Sequence, residues 1–263
     1  MFAFPFRSSV AAVATVLSGL IAHVSLAAEA PAKIDRHALV TRHNPHLTAI
    51  DPWAPFSVGN GEFCFTADVT GLQTFYPYYQ KNGIPLETAA RWSWHEDANP
   101  DNFRLRDANR PFTAYGKTLG YPTNQSGPAG MWLRENPHDQ PLPQLALDLA
   151  REGGARLGPD DVSAISQTLD LWSGTLTSEY QLEGAKVKTV VACDPARDIL
   201  AIRIESPLVA AGRLGVRIAV PRGHDIKTKN NPALDWSLPD SHRTTILVQR
   251  ERLVMFEHER DDA

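Results

Sequence analysis

From about Ile165 to Val220 the chain alternates apolar and polar residues with a period of two and breaks repeatedly at turn residues. Leu169-Asp170-Leu171-Trp172 runs to Gly174, and Leu176, Tyr180 and Leu182 mark the next strand up to the turn at Glu183-Gly184. Val187, Thr189, Val191 and Cys193 alternate as far as the turn at Asp194-Pro195. Leu200, Ile202 and Ile204 then face one way with Ala201, Arg203 and Glu205 opposite. Leu214, Val216, Ile218 and Val220 repeat the pattern with Arg213 and Arg217 outward. Period-two patterning puts successive side chains on opposite faces of a half-buried strand. Strands in succession, joined by turns rather than helices, build antiparallel sheet and exclude β-α-β units. The fold class is therefore all-β, a large antiparallel sandwich. Thr244–Gln249 and Arg252–His258 predict a closing hairpin around Arg250-Glu251, and only Gln144–Glu152 reads as a helix, a short one.

A further strand lies upstream. In Asp51–Phe75, Pro52, Trp53, Pro55 and Phe56 lead to Gly59-Asn60-Gly61, a turn whose residues accept positive φ cheaply. Phe63, Phe65, Ala67 and Val69 follow on one face, with Cys64, Thr66 and Asp68 on the other. The predicted core is Phe63, Phe65, Val69, Leu169, Leu171, Leu200, Ile202, Ile204, Val216 and Ile218. Residues 81–160 carry Pro85, Pro100, Pro111, Pro122, Pro128, Pro137, Pro141, Pro143 and Pro159, a density of breakers that forbids long helices and central strands. Trp92, Trp94, Phe103, Phe112, Tyr115, Tyr121 and Trp132 distinguish this stretch from a disordered one. It reads as a long aromatic- and proline-rich loop insertion in the sandwich.

The segment SVGNGEF resembles the turn that opens the N-terminal β-sandwich of six-hairpin glycosidases related to glycoside hydrolase family 65. Gln167–Ser178 (QTLDLWSGTLTS) looks like a strand pair of those sandwiches, and Asp198–Ser206 (DILAIRIES) looks like the strand that follows it. The resemblance implies a supersandwich-like fold over residues 28–263, stopping before the (α/α)6 barrel that carries the catalytic glutamate in the family. It implies an N-terminal non-catalytic domain, or a truncated fragment, of a secreted carbohydrate-active enzyme that cleaves glycosidic bonds by inverting hydrolysis or phosphorolysis. The partner is then an oligosaccharide or glycoside, reached through the barrel. The alternative is a self-standing carbohydrate-binding sandwich without enzymatic activity.

Arg91-Trp92-Ser93-Trp94-His95-Glu96 places two indoles on one face of an extended segment beside an arginine and a histidine. Sugars present apolar C–H faces ringed by hydroxyls, so such a cluster either lines a saccharide site or pins the loop to the sandwich. Trp132-Leu133-Arg134-Glu135-Asn136-Pro137-His138 combines the same residue types. The candidate ligand-binding residues are Arg91, Trp92, Trp94, His95, Trp132, Arg134 and His138. No catalytic pair is nominated. Glycoside hydrolysis needs two carboxyl groups flanking the bond, and the adjacent acids Glu96-Asp97, Asp160-Asp161 and Asp261-Asp262 sit among turn residues as solvated surface.

Other chemistry is narrowed by composition. Net charge is −4, with 26 basic and 30 acidic residues and no long block of either sign, so a nucleic-acid partner is not expected. The two cysteines, Cys64 and Cys193, exclude a cysteine-rich structural zinc site and read as separate thiols. His37, His43 and His46 lack an organised carboxylate and read as surface residues rather than metal ligands. Gly59-Asn60-Gly61 lacks the third glycine and helix of a dinucleotide site, and no cofactor is expected. Arg7, the apolar run Val10–Leu26 and Ser25-Leu26-Ala27 fit a cleaved secretory signal over residues 1–27, with export to the periplasm or medium. Ser18, Gly19 and His23 interrupt that run, so no stable membrane span is expected.

Overall fold

The computed structural model describes residues 33–151, 155–222, 234, 236 and 239–260. The expected signal segment and Asp261-Asp262 lie outside these residues. The chain divides into two compact units, one ending at Leu39 and the other beginning at Val40. In the first, Asp35 accepts the Ala38 N–H (3.0 Å), as side-chain acceptors do at helix starts, where the helix Arg36–Thr41 begins.

The second unit is all-β, built of antiparallel sheets. Its strands are β1 (His46–Leu47), β2 (Phe56–Gly59), β3 (Phe63–Ala67), β4 (Thr88–Ala90), β5 (Trp94–His95), β6 (Arg110–Ala114), β7 (Lys117–Tyr121), β8 (His138–Asp139), β9 (Gln144–Leu149) and β10 (Val162–Asp170). They continue as β11 (Thr175–Leu182), β12 (Ala185–Cys193), β13 (Leu200–Glu205), β14 (Leu214–Ala219), β15 (His242–Arg250) and β16 (Leu253–Arg260). The main sheet runs in the order β1-β10-β11-β12-β13, and a second runs β2-β3-β4. Four two-stranded ladders accompany them: β9 with β14, β15 with β16, β5 with β8, and β6 with β7.

One core joins the sheets. Val58, Phe63, Phe65 and Ala67 from β2 and β3 cluster with Leu176, Tyr180, Leu182, Val187 and Val191 from β11 and β12, and with Leu147, Leu149 and Leu214 from β9 and β14. The period-two pattern accounts for this: Leu176, Ser178, Tyr180 and Leu182 of β11 are buried, and the residues between them are not. Beyond β3, Asp68–Tyr76 is wholly buried, and Leu72, Phe75 and Tyr76 fill the core. Asp68 organises this loop by accepting from the Thr70 N–H (2.8 Å), the Thr70 hydroxyl (2.6 Å) and the Phe75 N–H (2.6 Å).

Several expectations are corrected. Gln144–Leu149 is a strand, not a helix: Leu145, Leu147 and Leu149 stand opposite Ile218, Val216 and Leu214 of β14, and this partner overrides helix propensity. Leu171, Val216 and Ile218 are exposed rather than core. Leu171 falls in the turn after β10, and the ladder bearing Val216 and Ile218 ends after two strands, which leaves that half of its face uncovered. Leu169, Leu200, Ile202 and Ile204 are partly buried against the core. Residues 81–160 are less loop-like than their prolines imply, since they hold β4 to β9 and the helix Pro128–Glu135, although every element there is short.

Candidate functional site

The site begins at the Gly59-Asn60-Gly61 turn. The Asn60 side-chain oxygen accepts from the N–H groups of Glu62 (2.9 Å) and Phe63 (2.8 Å), closing the turn between β2 and β3. Both glycines are required. Gly61 has φ +94°, and a Cβ on Gly59 would lie 2.3 Å from the Phe63 carbonyl oxygen. With its oxygen so engaged, Asn60 directs its amide N–H outward to Asp198 (2.9 Å). The second oxygen of Asp198 accepts the Trp92 indole N–H (2.8 Å). Asn60, Trp92 and Asp198, widely separated in the chain, thus meet at one carboxylate. Beside them Arg91 pairs with Glu62 (2.9 Å), and its backbone N–H bonds the Glu62 carbonyl (2.7 Å).

Trp92 and Trp94 are 62% and 56% exposed, flanking a buried Ser93 whose hydroxyl bonds the Gln140 carbonyl. Neither indole is a pin driven into the sandwich. Trp92 is instead a fixed platform, with its N–H held by Asp198 and its ring open to solvent. A cavity of about 420 Å³ lies along the Gly59-Asn60-Gly61 turn, lined by Gly59, Gly61, Glu62, Cys64, Arg91 and Asp139 among others.

The two candidate segments are joined by the pairing of β5 with β8, which sets Trp94 opposite Asp139 and His95 opposite His138. The imidazoles lie 5.7 Å apart at 69°. Asp97 turns inward between them, 3.6 Å from His95 Nε2 and 3.9 Å from His138 Nδ1. One of its oxygens is buried without a hydrogen bond. Gln140 Nε2 lies 2.7 Å from His138 Nε2, and the Glu135 carbonyl lies 2.8 Å from Nδ1. An amide donor on Nε2 assigns the proton to Nδ1, which donates to that carbonyl.

Trp132 and Arg134 belong to the helix Pro128–Glu135. The Trp132 indole donates to the Ala98 carbonyl (3.2 Å), and its ring stands 6.5 Å from that of Phe103. Both line an apolar cavity of about 440 Å³ whose wall includes Met131 and Glu135. The Glu135 carboxylate is buried and takes the Arg134 guanidinium at 2.8 Å and 3.2 Å. Arg91 and Arg134 thus each pair with a glutamate.

Asp198, Asn60 and Asp97 are the site residues that sequence reading did not nominate. For Asp198 and Asn60 a signal existed, because each sits in one of the motifs that carry the family resemblance. Asp97 and Asp161 also correct the expectation of solvated acids. Asp97 faces the histidines, and Asp161 receives both Nη atoms of Arg151 (2.9 and 3.0 Å), which hold its carboxyl below the usual range. Their neighbours Glu96 and Asp160 are exposed as expected.

Cys64 is an exposed free thiol and Cys193 a half-buried one. Among the described residues no group of three or more His, Cys, Asp and Glu is placed to hold a metal ion, and no helix is long and apolar enough to cross a membrane. No protein-family model and no curated protein matches the chain.

Proposed function

We propose that this chain is the β-sandwich domain of a secreted carbohydrate-active enzyme of the six-hairpin type, non-catalytic by itself, whose tryptophan face contacts saccharide. The observation that carries this reading is the Asp198 node. The Gly-Asn-Gly turn and the segment opening at Asp198, two of the segments on which the resemblance rests, are bonded to each other there, and Trp92 donates to the same carboxylate. A ring that is oriented by its N–H and exposed on its face suits the apolar side of a sugar, because little freedom is lost on binding.

A second observation favours a domain that docks onto a catalytic partner over a self-sufficient binding module. Val216 and Ile218 on β14, and Ile246, Leu247, Leu253, Val254, Met255 and Phe256 on β15 and β16, are all exposed. Large apolar side chains exposed in such number mark interaction sites. In this reading the glycosidic bond is cleaved by the partner, and the sandwich contributes one wall of its cleft.

The test is tryptophan fluorescence of the full chain titrated with neutral disaccharides of α and β linkage. A saturable change weakened at least about tenfold in Trp92→Ala or Trp94→Ala is expected. Absence of any response across the panel, or binding indifferent to both substitutions, overturns the saccharide reading.

A further inference from the structure

A third cavity, of about 430 Å³, opens on the β9–β14 ribbon. Ala219 stands opposite Gln144 and Arg217 opposite Ala146, so Gln144 and Arg217 share one face. The cavity is lined by both of these residues, by Arg156, and by the aromatic side chains of Tyr76, Tyr78 and Trp236. Its volume lies within the roughly 300–1,000 Å³ of small-molecule sites.

The charges here are unusual. Neither guanidinium takes part in a hydrogen bond or ion pair with a described residue. Arg217 is held below its ordinary pKa first by burial and then by Arg156, and Asp148 pulls the other way. Two like charges facing one partly desolvated space repel, and an anion between them converts that repulsion into two attractions. Guanidinium forks match oxyanions in geometry as well as charge. The aromatic walls and the Gln144 amide suit a ring with hydroxyls.

We propose that this cavity binds an acidic saccharide, a sugar ring carrying an oxyanion, between Arg156 and Arg217. The oxyanion follows from the arginines alone, whereas the choice of a sugar rests on the function proposed above. The carboxylate of a uronic acid and the phosphoryl group of a sugar phosphate share this chemistry, and separate probes distinguish them.

The experiment is calorimetric titration of the full chain with digalacturonate, glucose 6-phosphate, maltose and inorganic phosphate. It is repeated on Arg217→Gln and Arg156→Gln, with a thermal melt of each variant to confirm folding. Arg156→Gln, in an exposed loop position, keeps the test valid should Arg217→Gln fail to fold. Binding of digalacturonate or glucose 6-phosphate is expected, at least about tenfold weaker in each folded arginine variant. Failure of both acidic sugars to bind, affinity equal in wild type and arginine variants, or inorganic phosphate matching the acidic sugars would overturn the proposal. If neutral sugars fail at the tryptophan face while an acidic sugar binds through the arginines, the earlier reading falls and this one stands.

Discussion

Asp68 is fully buried, and although it accepts three hydrogen bonds, burial outweighs them and pushes its pKa from the ordinary 3.8 up to about 6. A carboxyl whose folded pKa exceeds its unfolded one holds its proton more tightly in the folded state. Its contribution to stability is therefore greatest below the unfolded value and declines as pH rises through about 6. The decline is on the order of 3 kcal/mol. Asparagine in its place keeps an oxygen for Thr70 but turns an amide N–H toward the Phe75 N–H, leaving a donor unpaired at a cost of roughly 1–3 kcal/mol. Urea denaturation of Asp68→Asn should show a penalty that is larger at pH 4 than at pH 7. A larger penalty at pH 7 would mean that the backbone donors, not desolvation, govern this carboxylate. Asn60 offers a second test. Asn60→Ala removes two backbone bonds and the Asp198 bond, and should destabilise the chain by about 1–3 kcal/mol while loosening Trp92. Faster quenching of the Trp92 emission by acrylamide is the readout.

At the level of elements, β15 and β16 form a long hairpin whose apolar residues are exposed on both faces. An isolated two-stranded ribbon is at best marginally stable in water. Hydrogen exchange should therefore find the amides of 242–260 far less protected than those of β10, β11 and β12, which pair within five strands around the core. Equal protection would mean that the hairpin is covered in solution. Its presence was legible in the sequence, as was that of β3 and β10 to β13, because each has period-two alternation with turn signals nearby, although the hairpin's ends shifted by one or two residues. Gln144–Leu149 was not, since LALDLA reads equally as a short helix until β14 is seen to pair with it. The partial burial of Leu169 against the exposure of Leu171, two residues on, shows the limit of pattern reading. Alternation identifies a face, but only the neighbouring sheets determine how far along the strand that face stays covered.

Across the whole molecule, the sandwich sets an aromatic face at β5 and an arginine-lined cavity at the β9–β14 ribbon. The residue types of the first were legible, as paired tryptophans beside histidine and arginine. Their partners were not, because Glu62 and Asp198 reach Arg91 and Trp92 only through tertiary contact. Of the carboxylates near the site, Asp198 is held by two donors, Glu62 by Arg91 and Glu135 by Arg134, while Asp139 is exposed. Asp97 stands between two histidines rather than opposite a second acid. The purified chain should accordingly hydrolyse no disaccharide, and turnover abolished by mutating one of its own acids would contradict that expectation. The most direct test of the central claim is a crystal of the full chain soaked with a neutral oligosaccharide. The account predicts a sugar ring stacked on the Trp92 or Trp94 indole, with the Trp92 N–H still on Asp198. A sugar bound elsewhere, with both indoles bare, would contradict it.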